Sequence, residues 1–306
     1  SSLIVSEVNK FNLKSKINTY SLILPGSEND ESINIDLFQK LMPNNKNIKY
    51  CVRRFDEKEI EKALNLYPNL DYPILDLSII PTITLCKTVS KNIRVILSGD
   101  GADELFVGYP RIYQAFWRFL LINSIPKALK NSILKLLPNN KKLKKYLKAV
   151  NPIQIWMILM DCEESNIFNK SINKFSLKEI FKLIVEYELN FYLPSVLEKV
   201  DAASMLSSLE VRVPFLSNNI IQYLNEVSLS NFMWQRTPKF FLKKLLSINT
   251  NKRYAFSQKK GFSFNNNAQI RFIIEFIEAR NYPFLLDSKK EIALRKNKNK
   301  YIRLLL

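Results

Sequence analysis

The chain has 306 residues and is 47% hydrophobic, enough for one large or two ordinary domains with real cores, which excludes a disordered chain. Its 46 Lys and Arg against 28 Asp and Glu leave a formal charge of +18, compatible with nucleic acid, an acidic membrane surface or an anionic small molecule. It contains no histidine, which excludes Ser-His-Asp and Cys-His catalysis and every His-ligated metal site, so acid–base work falls to carboxylates, Lys or Tyr.

The first hundred residues alternate short apolar strands with helix-like stretches, the pattern of a parallel α/β layer. The periodicity predicts a helix near 3–10, a strand at Thr19–Leu24, a helix near 32–41 and a strand at Ile48–Arg53. Helices near 57–65 and 78–90 follow, then a strand at 93–97 that reads as buried apart from Arg94. Beyond Arg111 the periodicity is helical nearly throughout, with breaks expected at Pro126, Pro138, Pro152, Pro194 and Pro214. Residues 1–115 are therefore expected to form an α/β core and residues 116–306 a mainly helical remainder.

The stretch from Lys127 to Lys148 carries eight lysines among Leu and Ile at helical spacing. It is either a basic amphipathic hairpin that touches RNA, a membrane or a partner, or a solvated surface with snorkelling lysines. The basic tail from Lys289 to Arg303 reads in the same two ways. Lysine scattered among many Asn and Ile is also what compositional drift produces, which argues against nucleic acid as a partner. Cys51, Cys86 and Cys162 have no C-x-x-C spacing and are expected as buried free thiols in a reducing cytosol. No apolar run approaches the roughly 20 residues that cross a bilayer, and the first residues are not a signal peptide, so a soluble cytoplasmic protein is expected.

Four clusters could carry chemistry. Ser98-Gly99-Asp100-Gly101-Ala102-Asp103-Glu104 follows the strand at 93–97, at the carboxyl end where open α/β sheets place their ligands. Its small residues would let a phosphate or adenylate approach the backbone, and its acids could hold Mg²⁺; the spacing equally allows a polar turn whose Asp residues cap the next helix. In Asp71-Tyr72-Pro73-Ile74-Leu75-Asp76-Leu77-Ser78, Asp76 or Ser78 could cap the following helix. In the stretch from Asp201 to Leu216, Glu210 and Arg212 point the same way if the chain is extended after Leu209, and a surface ion pair there would be worth little. Gln258-Lys259-Lys260-Gly261-Phe262 would put ammonium groups on a turn, where a lysine can neutralise a leaving pyrophosphate, although exposed turn lysines are commoner.

In order and content these clusters resemble the synthetase domain of the glutamine-hydrolysing asparagine synthetase family. The family's S-G-D-G-x-D-E-L-F-x-G-Y stands at 98–109, its D-x-P-x-x-D-x-S at 71–78, its D-x-x-S-M-x-x-S-L-E-x-R-x-P-F-L at 201–216 and its K-x-G-F at 259–262. Thr19–Leu24 matches its second strand, so the likeness spans almost the whole chain. The resemblance implies an α/β fold of the ATP-pyrophosphatase type (adenine nucleotide alpha hydrolase-like), a parallel sheet with helices followed by a largely α-helical region. It also implies ATP and Mg²⁺ as cofactors, adenylation of aspartate with release of pyrophosphate, and amidation by ammonia taken from glutamine. By position, Leu22, Ser98, Gly99 and Gly101 would meet the nucleotide and Asp103 would bind Mg²⁺. Asp100 would sit by the acyl-adenylate, orienting substrate or accepting a proton from ammonia, and Lys259 would stabilise departing pyrophosphate, while Glu210 and Arg212 would support the site.

The departures matter as well. The family's S-G-G-x-D-S phosphate loop and its Cys-led glutaminase domain have no counterpart here, since Ser1 onward matches residues at the end of that loop. The chain is therefore expected to be a fragment with an incomplete core, inactive in isolation, whose parent carries the glutaminase domain. Ser217 stands where the family usually has Asp after P-F-L, and Ile23 where it has Gly, which leaves the acceptor open. A carboxylated sugar in surface-polysaccharide assembly is the alternative acceptor, and a non-catalytic degenerate domain binding a partner is a further reading.

Overall fold

The computed structural model of the protein describes residues 1–11, 13, 15–23, 30–42, 45–71, 74, 76–138, 142–160, 162, 175–235, 237–257, 273 and 275. These form a mixed α/β protein, mostly helical, with two small parallel sheets. Two units separate: one comprises Ser1–Asp100, Val196–Pro214 and the described residues from 240 on, the other Gly101–Ser195 and Phe215–Lys239.

In the first unit, β1 (Ile17–Ile23) and β2 (Ile48–Arg54) pair in parallel with Ile17 opposite Ile48 and Ile23 opposite Arg54. Helices α1 (Ser2–Asn9), α2 (Ser32–Leu41), α3 (Glu57–Leu66) and α4 (Ile79–Val89) fall where the periodicity puts them. Helix α3 starts at Asp56, whose carboxylate accepts the Glu59 N–H at 3.1 Å, and Glu57 and Glu59 in its first turn complement the helix dipole. Its buried face, Ile60, Ala63 and Leu64, packs with Ile79, Ile80, Ile83, Cys86 and Val89 of α4 and with Leu22, Phe55 and Tyr67 into one core. Each fully buried Ile or Leu there stabilises by about 1.5–3 kcal/mol relative to exposure.

The strand expected at 93–97 is shorter and is not buried. Strand β3 (Val95–Leu97) pairs in parallel with β4 (Glu210–Arg212), and Val95 and Leu97 stay 41% and 49% exposed. Its neighbour among the described residues is a three-residue strand; Ile96 packs with Val211 against the core, while the face carrying Val95 and Leu97 stays open. An apolar run announces a strand but not how many neighbours it finds.

The second unit is helical. Helix α5 (Ala102–Leu105) is followed by α6 (Pro110–Asn123), which buries Ile112, Ala115, Phe116, Phe119 and Ile122 at helical spacing. Helices α9 (Pro152–Leu159) and α10 (Leu177–Tyr187) close on it, and Phe116 meets Phe181 edge-on with centroids 5.4 Å apart. Of the basic hairpin, α7 (Lys127–Leu136) buries nothing and α8 (Lys142–Lys148) buries Tyr146 and Leu147, so its first arm is the solvated one.

Pro126, Pro138, Pro152 and Pro214 stand at breaks in the helical run, but Pro194 does not interrupt it. It lies in the first turn of α11 (Leu193–Met205), which continues from α10 through a π turn at Glu188–Tyr192. There the Leu193 N–H reaches back five residues to the Glu188 carbonyl, so the ladder has already slipped by one residue where proline cannot donate. The remaining helices are α12 (Asn218–Glu226), α13 (Ser230–Met233), α14 (Phe240–Asn249) and α15 (Lys252–Ala255). No helix among the described residues is long and apolar enough to cross a membrane. Cys86 and Cys162 are buried, Cys51 is half-buried, and all three are free; burial, with the Asp100 charge beside it, pushes the Cys86 thiol up to about 12.

Candidate active site

In the first unit the chain leaves β3 with the Ser98 N–H bonded to the Arg212 carbonyl at 2.8 Å. The Ser98 hydroxyl donates to the half-buried Asp100 carboxylate. Asp100 therefore does not cap the following helix: α5 starts at Gly101 with no side-chain cap, which removes the capping reading of this turn. Gly99 lies against the Ser1 main chain, where a Cβ would come within 2.6 Å of the Ser1 nitrogen. Leu22 is 2% exposed and belongs to the core, so any contact it makes with a nucleotide runs through its main chain.

Asp76 and Ser78 serve a lysine rather than a helix cap. The Lys199 ammonium donates to Asp76 Oδ2 at 2.9 Å and to Ser78 Oγ at 2.8 Å, and Asp76 Oδ1 accepts the Ser78 N–H at 2.9 Å. Burial alone would raise the Asp76 carboxyl, but Lys199 outweighs it and holds the group below its ordinary value. Glu210 and Arg212 do lie on one extended strand and pair at 2.7 Å, yet both side chains are more than half exposed, so the pair adds little. Asp201 and Ser204 line an open recess with Val211 and Val213. Lys259 and its K-x-G-F run lie outside the described residues.

In the second unit Gly101 opens α5 with φ +81°, and a Cβ on it would come within 2.6 Å of the Leu216 side chain, so conformation and space both demand glycine. Asp103 and Glu104 then point to different partners. Asp103 Oδ2 takes the Lys239 ammonium at 2.8 Å, and a Cβ on Gly108 would meet both Asp103 Oδ1 and Lys239 Cε. Glu104 is buried and accepts the Tyr109 hydroxyl at 2.7 Å. Burial, with the Asp103 and Glu188 charges adding, raises the Glu104 carboxyl, and burial likewise raises the Tyr109 phenol. Arg111 lies over the Tyr109 and Tyr192 rings at 3.7 and 4.1 Å and grips the fully buried Glu188. Burial works against the Arg111 charge, but its bonds to Glu188 more than reverse that and raise it.

Among the described residues no three acidic or sulfur groups converge into a metal cage. Asp103 offers one hard carboxylate, which suits a magnesium ion held mainly by phosphate oxygens rather than by protein. Lys199, Lys239, Arg111 and Glu188 are absent from the sequence-based assignment. Glu188 left a readable trace, an acid continuing the apolar stripe of Ile180 and Ile184; the three cations left none, being ordinary members of a basic chain.

A family model described as asparagine synthase matches residues 1–281. Asparagine synthetase [glutamine-hydrolyzing] 1 of Bacillus subtilis is 27% identical over 215 residues, covering 60% of this chain and 33% of that protein. Putative asparagine synthetase [glutamine-hydrolyzing] 2 of Methanocaldococcus jannaschii is 29% identical over 240 residues, covering 70% of this chain and 45% of that protein. The chain thus spans about a third to a half of the length of these curated relatives.

Proposed function

The chain belongs to the asparagine synthase family, and from that premise we propose that it is the synthetase portion of a glutamine-hydrolysing asparagine synthetase, with an ATP-pyrophosphatase core. The observation that carries this reading is the separation of three acids within five residues. Asp100 is oriented by a hydroxyl, Asp103 faces a cation, and Glu104 is buried with a raised carboxyl against Tyr109. Neighbouring carboxyls in different settings can divide roles between them.

In the proposed reaction an aspartate carboxylate oxygen attacks the α-phosphorus of ATP and pyrophosphate leaves. Ammonia then attacks the acyl carbon, gives up a proton to Asp100, and AMP leaves with the bonding electrons. Ser98, Gly99, Gly101 and the Leu22 main chain are assigned to the nucleotide, Asp103 to Mg²⁺, and Lys259 to pyrophosphate. Bound Mg²⁺ supplies neutralisation of phosphate charge. Glu210 and Arg212 are assigned a supporting role, ammonia comes from a glutaminase domain of the parent chain, and the location is cytoplasmic.

The test is pyrophosphate release and product chromatography with the full-length protein, ATP, Mg²⁺, ammonia and a panel of carboxylic acids. Asparagine from aspartate is expected. No pyrophosphate release with aspartate overturns the reading, and release with a carboxylated sugar instead would follow from the missing carboxylate at Ser217.

A further inference from the structure

No Asp or Glu occurs between Glu104 and Asp161, although the chain holds 28 acids. Within that stretch residues 127–148, which span α7 and α8, carry eight lysines. The two helices are held differently. Helix α8 is anchored: Tyr146 and Leu147 are buried, and the Arg118 guanidinium donates to the Tyr146 hydroxyl at 2.6 Å. Helix α7 buries no residue, so the fold uses little of its apolar surface. Its apolar residues are nevertheless in helical register. Leu129, Ile133 and Leu136 share one face at i, i+4 and i+7, with Leu129 54% and Leu136 84% exposed, and Lys130 and Lys135 stand on either side of that face. A helix that needed only to be solvated would gain nothing from leucine at these positions.

We propose that α7 is a docking helix for an anionic bilayer surface, lying in the interface with Leu129 and Leu136 among the acyl chains and the lysines of residues 127–148 among the headgroups. The charge selects the partner. A second copy of the chain would bring together two faces of the same sign, on a protein of net charge +18. A nucleic-acid backbone would satisfy the lysines and leave the leucines in water. A bilayer containing anionic lipid satisfies both, because acyl chains lie beneath its negative headgroups and lysine stems snorkel between the two. An association held by a short leucine stripe and by charge is peripheral and reversible. An acidic protein surface is the competing occupant, and the probes below separate it from a bilayer.

Co-sedimentation of the 306-residue chain with vesicles tests this. Binding to equimolar phosphatidylserine and phosphatidylcholine is expected to be tighter than to phosphatidylcholine alone by about tenfold or more. L129S/L136S and K127Q/K130Q/K135Q should each weaken it by about fivefold or more. K58Q/K87Q/K91Q removes equal charge from exposed lysines of the first unit and should change it by less than about twofold. Equal binding to the two vesicles, equal losses in the two lysine triples, or full binding by L129S/L136S overturns the proposal. So does capture by polyglutamate with indifference to vesicles, which would assign α7 to an acidic protein. If a variant does not fold, hydrogen exchange on the unvaried chain decides: the mixed vesicles should slow the amides of residues 127–136 by about threefold or more, and unchanged exchange there sinks it.

Discussion

Glu188 receives two hydrogen bonds from Arg111, Nε at 2.5 Å and Nη2 at 2.7 Å, and a third from the Trp156 indole at 2.6 Å. Three donors on a carboxylate with no exposed surface satisfy it, and the guanidinium lies against two tyrosine rings that meet edge-on. Removing the acid leaves a buried cation and an indole N–H without a partner, so E188A should lose about 3–5 kcal/mol of stability. Urea unfolding measures this, and a loss below about 1 kcal/mol contradicts it; Trp156 emission should shift in the same variant.

Glu104 predicts a pH dependence of opposite sign to most carboxylates. Its folded value is raised by burial above all, so the fold favours the protonated form. The stability it contributes is complete below the unfolded value of about 4.3 and is lost as pH rises through the folded value. E104Q should flatten stability across that window while keeping an acceptor for the Tyr109 hydroxyl. Denaturation series from pH 4 to 8 would show identical slopes for the two proteins if this is wrong.

Asp76 behaves the other way. Its value is lowered because Lys199 outweighs burial, so its contribution is present above the unfolded value of about 3.9 and is lost as pH falls through the folded one. K199M should cost about 1 kcal/mol at pH 7 and much less at pH 3. Equal costs at both pH values would show that the lysine acts through its stem and not its charge.

Gly101 should not tolerate a methyl group. G101A places an alanine at φ +81° for about 1–2 kcal/mol and forces the Leu216 side chain aside for about 1–3 kcal/mol more. A melting temperature within a degree or two of the parent would refute the packing argument.

If the proposed reaction is correct, D100N in the full-length enzyme should lower kcat by about 10²–10⁴, the usual worth of a positioned base. E210Q should lower it far less, because its exposed ion pair with Arg212 is easily replaced by water. Steady-state pyrophosphate release compares the two, and an equal loss in both would reassign Glu210 to the chemistry.

Much of this was legible in the residues. The helices expected at 32–41 and 57–65 and the strands expected at 19–24 and 48–53 fall within a residue or two of those found, because periodicity and turn signals are local. The strand carrying Glu210 and Arg212 was only a condition in the sequence reading, and the structure meets it. What could not be read was pairing at a distance: that Asp76 and Ser78 would share Lys199, or that Arg111 would find Glu188. In a chain with 46 basic residues no single lysine stands out. Pro194 misled because a π turn, which has no sequence signature of its own, absorbs the lost donor.

The pairing of Val95 with Glu210 carries a consequence for how the chain is made. β3 leaves the ribosome more than a hundred residues before the strand that satisfies it, whereas α6, α9 and α10 find one another within residues 110–187. Local contacts form fast and distant strand pairing slowly, so the helical unit should gain structure first while Val95 and Leu97 wait with an unpaired apolar edge. Synthesis halted between residues 100 and 209 would therefore leave a nascent chain that holds protected helices and an adhesive strand, the state in which a chaperone has most to bind.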